Sequence, residues 1–88
     1  MLDDLARQAT VSRRTLVRRF KAETGTTPLS WLTEQRIMLA RRLLEKTDLS
    51  VDEVARRSGL GSSASLRLHF RQRLHTSPTA YRGAFTRS

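Results

Sequence analysis

Apolar residues recur every three or four positions along most of this 88-residue chain, and they never alternate with polar residues over the length of a strand. This pattern predicts an all-α fold with short turns. The predicted helices cover residues 2–9, 13–24, 28–46, 51–57, 64–75 and 78–85.

The predicted boundaries carry residues that favour helix ends. Ser50 followed by Glu53 has the spacing of a capping box. Gly25 and Gly59 suit the left-handed conformation that commonly ends a helix. The other candidates are hydroxyl side chains that can cap the next helix and prolines at the first helical position, namely Ser12, Thr27, Ser63, Ser77, Pro28 and Pro78.

The pattern of core-type positions occurs twice. The offset between the copies is 49 residues up to Val11 and Leu60, and it is 50 from Leu16 and Leu66 onward, so one residue has been added near Gly61. Such a repeat is typical of a duplicated supersecondary unit. In each copy a short helix, a turn of three or four residues and a longer helix follow one another, which is the spacing of a helix-turn-helix.

Charge indicates the kind of partner. The chain has 17 basic and 8 acidic residues, and its formal net charge is +9. No acidic residue follows Glu53, and the acidic residues before it include those at predicted helix starts. Seven of the 15 arginines lie in the second helices of the two repeats. We therefore expect a polyanionic partner, and double-stranded DNA fits the motif.

The domain organisation follows from the repeat. We expect one DNA-binding domain over 1–88, made of a first helix-turn-helix (1–27), a linker helix (28–47), and a second helix-turn-helix with a closing helix (50–88). The linker helix should be about 28 Å long, against about 34 Å between successive major grooves on one face of B-DNA. Its apolar stripe is expected to serve both small cores and consists of Leu29, Leu32, Ile37, Ala40, Leu43 and Leu44.

Seven further side chains of interest receive structural interpretations. Trp31 and Tyr81, at matching repeat positions, are expected in the cores and not as base-stacking platforms. For the linker-helix arginines, Arg36, Arg41 and Arg42, solvated or salt-bridged roles are favoured over DNA contact. His69 and His75 lack partners at metal-ligand spacing.

Several classes of function are disfavoured. The chain has no cysteine, no apolar run of membrane-spanning length, no secretory signal, and no phosphate loop or nucleophile elbow. We expect no enzyme activity, no cofactor, no metal and no membrane partner, and a cytoplasmic location. A cationic membrane-surface module is a minor alternative, which the commitment of the apolar residues to cores disfavours.

The second helix of each repeat presents one narrow polar sector opposite its apolar residues. The base-contacting candidates in this sector are Arg14, Val17, Arg18, Ala64, Arg67 and Leu68. Arginine can donate two bonds to guanine, which makes Arg14, Arg18 and Arg67 the strongest candidates for base reading. The phosphate-contacting candidates are Ser12, Arg13, Lys21, Ser62, Ser63 and Arg71, with plain capping as the alternative role of the serines.

The segments LARQATVSRRTLVRRFKAETGTTPLSWL and SVDEVARRSGLGSSASLRLHFRQRLHTSPTAYR resemble the two helix-turn-helix units of the DNA-binding domain of AraC/XylS-type bacterial transcription regulators. The linker segment RIMLARRLL is similar to that family's linker helix. ETGTTPLSWL and TSPTAYR are similar to members with an N-terminal domain like a class I glutamine amidotransferase.

The resemblance implies homeodomain-like three-helix units, with both reading helices in adjacent major grooves of promoter DNA. It also implies an effector or dimerisation domain that this chain lacks, RNA polymerase as a further partner, and an association with the bacterial nucleoid. Family members usually have one more helix before LDDLA, so we expect a less covered and less stable first core near Leu5, Leu16 and Phe20.

Two positions depart from the family pattern, because Leu68 replaces a common arginine and Leu60 a common aromatic residue. Leu68 can offer only apolar contact. We therefore expect the first unit to supply most of the hydrogen-bonded base recognition. The alternative function is a nucleic-acid binder without sequence preference, in which the same arginines contact only phosphates.

Overall fold

A computed structural model describes residues 12–85 of the chain, and all regular elements in that range are helices. They are α1 (Arg13–Thr24), α2 (Pro28–Lys46), α3 (Val51–Ser58), α4 (Ser63–Leu74) and α5 (Pro78–Phe85). The all-α prediction is confirmed, and three of the helices have the predicted bounds. The helix predicted at 2–9 lies outside the described residues.

Capping serines begin four of the five described helices, at Ser12, Ser50, Ser62 and Ser77. The Oγ atoms of Ser12 and Ser50 accept hydrogen bonds from the amides of Thr15 and Glu53, each at 3.1 Å. The full capping box predicted at Ser50 does not form, since the Glu53 carboxylate instead pairs with two arginines.

The start of α4 differs from the prediction by one residue. Ser62, and not Ser63, is the cap, and its Oγ accepts from the amide of Ser65 at 3.1 Å. Two adjacent serines have equal capping propensity, so the sequence does not distinguish them. Ser62 has the extended backbone that a cap requires, with φ −135° and ψ 160°.

The chain divides into two compact units, Met1–Leu32 and Thr33–Ser88. The second unit contains the buried apolar core. Its members come from α2, α3, α4 and the turn between α3 and α4, and they are Ile37, Ala40, Leu44, Val54, Ala55, Leu60, Leu66 and Phe70. Leu66 and Phe70 are completely buried, which fixes the face that α4 turns inward.

Polar contacts attach α5 to α2 within the second unit. The guanidinium of Arg82 donates to the backbone oxygens of Leu44 and Thr47, each at 3.2 Å, so it satisfies carbonyl groups at the end of α2. The Tyr81 hydroxyl donates to the Glu45 carboxylate and accepts a bond from Nε of Arg41 at 3.1 Å.

The first unit has a more open interior over its described residues. No residue of α1 is buried, and Phe20 is half-buried. Trp31 is 46% exposed, so the prediction that it is a core residue is wrong, although its ring packs edge-on against Phe20 with centroids 6.5 Å apart. Leu29 and Leu32 are also exposed, so the predicted stripe of α2 is buried only in the second unit.

The equivalent aromatic pair of the second unit is Phe70 with Tyr81, whose ring centroids lie 5.7 Å apart. Both pairs are edge-to-face, with interplanar angles of 71° and 85°. The repeat has therefore kept the aromatic contact while the burial around it differs.

Equivalent truncations should reveal this difference in burial. Phe70→Ala should lower the free energy of unfolding by about 3–5 kcal/mol, because it empties a buried site. Phe20→Ala should cost less than half as much, because its ring is partly solvated already. Urea unfolding followed by far-UV circular dichroism measures both, with Trp31 fluorescence reporting on the first unit. Equal losses would contradict the difference in packing.

The helix ends give a second matched pair. Gly25 ends α1 and His75 ends α4, and both are left-handed, with φ values of 79° and 57°. Because a side chain is strained in this conformation, His75→Gly should stabilise the chain by about 0.5–1 kcal/mol. Gly25→Ala should destabilise it by about 1 kcal/mol.

Thermal unfolding checks the helix-end prediction, since 1 kcal/mol corresponds to roughly 4–8 °C in Tm for a domain of this size. His75→Ala is the control, because it removes the imidazole and keeps the strained conformation. A Tm gain for His75→Ala equal to that for His75→Gly would assign the effect to the imidazole and not to the backbone.

Candidate nucleic-acid interface

The second helix-turn-helix consists of α3, a four-residue turn and α4. The turn contains two glycines with positive φ, Gly59 at 88° and Gly61 at 92°. Between them Leu60 points into the core, and its amide and that of Gly61 both donate to the Ala55 carbonyl at 3.0 Å. These bonds fix the direction in which α4 leaves the turn.

Gly59 also lies beside the side chain of Arg36, which would have to shift to admit a larger residue. A Cβ atom placed on it would lie 2.9 Å from Nε of Arg36, which packs over the turn from α2. Arg36 thus packs over the turn within the second unit. The Nε atom of Arg41 donates to the Tyr81 hydroxyl, and its guanidinium lies 5.6 Å from the centroid of the Tyr81 ring.

The outer face of α4 carries the predicted reading residues. Ala64, Arg67, Leu68 and Arg71 are exposed, while Leu66 and Phe70 on the opposite side are completely buried. Leu68 is 54% exposed. The helix thus presents two arginines and two apolar side chains in one sector.

The outer face of α1 is more strongly cationic. Arg14, Arg18 and Lys21 are exposed, whereas Val17 is half-buried. Leu16 and Phe20 occupy the opposite, half-buried side. The division into polar and apolar sides is therefore the same as in α4, with less complete burial of the apolar side.

The residues predicted to contact phosphates lie at the starts of α1 and α4 and in the last turns of these helices. Ser12 and Ser62 are exposed caps whose Oγ atoms already accept backbone amides. The Ser12 hydroxyl also shares a hydrogen bond with Oγ1 of Thr15 at 2.8 Å, whereas Ser62 retains its hydroxyl proton for other partners. Arg13 is exposed at the start of α1, and Ser63 is half-buried as the first residue of α4. Lys21 and Arg71 are exposed in the last turn of their helices.

Carboxylates neutralise other arginines. Arg56 and Arg57 pair with Glu53, and Arg73 pairs with Glu34 at 3.3 Å. The bond from Arg57 lowers the pKa of the Glu53 carboxyl, so this group stays ionised at neutral pH. None of the ion pairs within residues 12–85 involves the reading-face cations Arg14, Arg18, Lys21, Arg67 and Arg71. These five charges are therefore available to an anionic partner.

Sequence reasoning did not identify the Arg41–Tyr81–Glu45 cluster. Arg41 and Glu45 are one helical turn apart on α2, which was the available signal, but the sequence did not show that Tyr81 faces them. Burial raises the pKa of Tyr81, and the bond to Arg41 partly opposes this. The same bond raises the pKa of Arg41. The cluster is structural, since it holds α5 on α2.

Titration of the only tyrosine tests this cluster directly. The Tyr81 pKa should lie above its usual value of about 10. The neutral hydroxyl therefore contributes free energy of folding below about pH 10, and this contribution is lost as the pH rises through the folded-state pKa. Absorbance at 295 nm follows the phenolate. Glu45→Gln should lower this pKa and Arg41→Gln should raise it, and shifts in the same direction for both variants would contradict the assigned bonds.

Other kinds of site are not visible in the part of the chain that the structure describes. Residues 12–85 contain no group of three metal-ligating side chains. None of the five described helices is both long enough and apolar enough to cross a membrane.

A helix-turn-helix formed by α3 and α4, together with the cationic helix α1 at the equivalent repeat position of α4, is characteristic of a DNA-binding domain. A family model described as "Helix-turn-helix domain" matches residues 5–84. A putative AraC-like transcription regulator of Streptomyces lividans is 43% identical over 79 residues, which cover 90% of this chain and 26% of that protein. The transcriptional activator RhaS of Klebsiella pneumoniae strain 342 is 41% identical over 76 residues, covering 86% and 27%.

Solved structures agree with this classification. The DNA-binding domain of AdpA, described as a global transcriptional factor and crystallised with a target DNA, has a TM-score of 0.84 and 53% identity, covering 97% of this chain and 77% of that one. The C-terminal domain of AraT, a response regulator from Geobacillus stearothermophilus, has a TM-score of 0.85 and 31% identity, covering 100% and 73%.

The chain belongs to the AraC/XylS-type family of helix-turn-helix DNA-binding domains. The resemblance found in the sequence is thereby confirmed, and the relatives are transcription regulators and not enzymes. The chain spans about a quarter of the length of the curated relatives that it matches.

Proposed function

We propose that the chain binds a defined double-stranded DNA site, with α1 and α4 inserted into adjacent major grooves. The supporting observation is that both helices expose arginines on their predicted reading faces, opposite an apolar side, and that Arg14, Arg18 and Arg67 pair with no carboxylate within residues 12–85. A helix in the major groove needs this division, because one side packs on its own unit and the other meets base edges.

The predicted DNA-contacting residues divide into two roles. Arg14, Arg18 and Arg67 donate to base edges, where a bidentate arginine–guanine pair discriminates by about 1–3 kcal/mol. Val17, Ala64 and Leu68 make apolar base contacts. The phosphate contacts come from the entrances and later turns of the helices, and they are Ser12, Arg13, Lys21, Ser62, Ser63 and Arg71.

The longer protein is proposed to be a bacterial transcription regulator. Relatives named as a transcription regulator and a transcriptional activator support this, and they are more than three times as long as this chain. The remaining length would hold an effector or dimerisation domain. RNA polymerase is the proposed second partner, and the proposed location is the cytoplasm, on the nucleoid.

Selection from random duplexes tests the function. At about 0.15 M salt with excess competitor, the chain should enrich a site that it binds at least roughly a thousandfold more tightly than random DNA. Salt-sensitive binding without an enriched site would instead identify a sequence-indifferent binder, in which the arginines contact only phosphates. Salt dependence alone does not separate these functions, since both release counterions.

Neighbouring arginines on α1 provide a matched test of base reading. Arg18 lies within the reading sector, whereas Arg19 is exposed about 100° away around the helix. Arg18→Ala should reduce discrimination at one base pair of the selected site by about 5- to 150-fold. Arg19→Ala removes the same charge from the same helix and should leave discrimination unchanged.

Competition assays with single-base variants of the selected site measure these ratios. Leu68→Ala should alter discrimination less than Arg18→Ala, because an apolar contact is weaker than a bidentate pair. Equal losses for Arg18→Ala and Arg19→Ala would show that Arg18 contributes charge and not base recognition.

A further inference from the structure

The reading face of α4 contains an apolar strip formed by Ala64 and Leu68. These residues are four positions apart, so they are neighbours on the same side of the helix. Both are exposed, and Leu68 is 54% exposed. Leu68 is neither in the buried core nor among the partly buried residues packed against it.

Single exposed leucines are common on proteins, so exposure alone does not identify a site. The position of the strip is more informative. With the repeat offset of 50, Ala64 and Leu68 are equivalent to Arg14 and Arg18. The two positions that carry guanidinium groups in the first unit thus carry only methyl and isobutyl groups in the second.

The flanking side chains indicate what the strip meets. Arg67 and Arg71 are exposed on the same face, and neither pairs with a carboxylate within residues 12–85. A DNA duplex held by these two cations would place the floor of the major groove against the strip. The apolar group displayed there is the methyl on C5 of a pyrimidine, which thymine carries and unmodified cytosine does not.

We propose that Ala64 and Leu68 bind pyrimidine 5-methyl groups, so that the second unit selects its part of the DNA site by methyl contact. The methyl group can come from thymine or from 5-methylcytosine. This inference rests on the proposed function, because it names the feature that the same reading helix recognises. It gives the second repeat a chemistry that the first lacks at the positions of Arg14 and Arg18, namely contact with pyrimidine methyl groups beside the base edge that Arg67 reads.

The expected size of the effect follows from apolar burial. Removing one buried methyl group weakens binding by about fourfold. A bidentate arginine–guanine pair discriminates by about 5- to 150-fold. Methyl recognition should therefore produce a real but more permissive preference at the second unit's part of the site.

Parallel selections from two random-duplex libraries test the proposal, one containing thymine and the other deoxyuridine throughout. The bases pair identically and differ only in the methyl group. Thymine positions should be enriched in the first library and lose their preference in the second, while guanine positions are enriched in both. Within the selected duplex, replacing one such thymine by deoxyuridine should weaken binding about fourfold.

Variants at Leu68 assign the effect to this side chain. Leu68→Ala should reduce the thymine-to-deoxyuridine ratio toward one, whereas Leu68→Met, which keeps an apolar side chain of similar size, should preserve most of it. Arg18→Ala should leave the ratio unchanged while it weakens guanine preference. Thermal unfolding of each variant verifies that the fold is retained, which the exposure of both positions predicts.

Cytosine and 5-methylcytosine at the same position distinguish the two sources of the methyl group. Tighter binding of 5-methylcytosine than of cytosine, by about fourfold, would extend recognition to methylated DNA. Equal binding of these two bases, with the thymine preference intact, would restrict recognition to thymine.

Two outcomes would overturn the proposal, and they differ from each other. Enrichment of the same site from both libraries, with equal affinity for thymine and deoxyuridine, would leave specific DNA binding intact and exclude methyl recognition. No enriched site in either library would contradict the proposed function and remove the methyl contact with it.

Discussion

Burial of Leu66 and Phe70 in the apolar core is the interaction on which the second unit depends. Both side chains are completely buried among residues of α2 and α3. Because they lie on one side of α4, their burial sets the rotation of the helix about its axis, and that rotation decides which residues face outward. The reading face is thus a consequence of the core, and a loosened core would misplace every contact on that face together.

The first unit uses the same device with less burial. Phe20 packs against Trp31 edge-on, as Phe70 packs against Tyr81, but Trp31 remains 46% exposed. An aromatic pair contributes about 0.5–1.5 kcal/mol beyond its buried area. The contact therefore orients α1 without the transfer free energy that stabilises α4, so the two reading helices are held by unequal forces.

Local chemistry made much of this fold predictable. Capping serines, prolines and terminal glycines act within one helical turn, so helix bounds followed from the sequence to within one residue. Errors arose where tertiary packing decides. Trp31, Leu29 and Leu32 are apolar at helical spacing, yet no pattern along the chain shows whether another segment covers them.

The same limit applies to the candidate site. Helical periodicity predicted which side chains share a face, because angles around a helix depend only on spacing. It did not show that Tyr81 on α5 contacts Arg41 and Glu45 on α2, since that contact depends on how α5 packs against α2. Faces are local properties of a helix, and contacts between helices are not.

The repeat has kept its buried positions and changed its exposed ones, and this difference has a physical reason. A change at Leu66 or Phe70 would empty a buried site and cost about 2–5 kcal/mol, a large part of the stability of a small domain. A change at an exposed position such as Ala64 or Leu68 usually alters stability by less than about 0.5 kcal/mol. Recognition can therefore vary while the scaffold cannot. Bidentate pairs discriminate between bases more strongly than apolar contacts do. Because Ala64 and Leu68 stand where the first unit has Arg14 and Arg18, most of the discrimination between bases falls to the first unit. That unit is also the one with the less buried core.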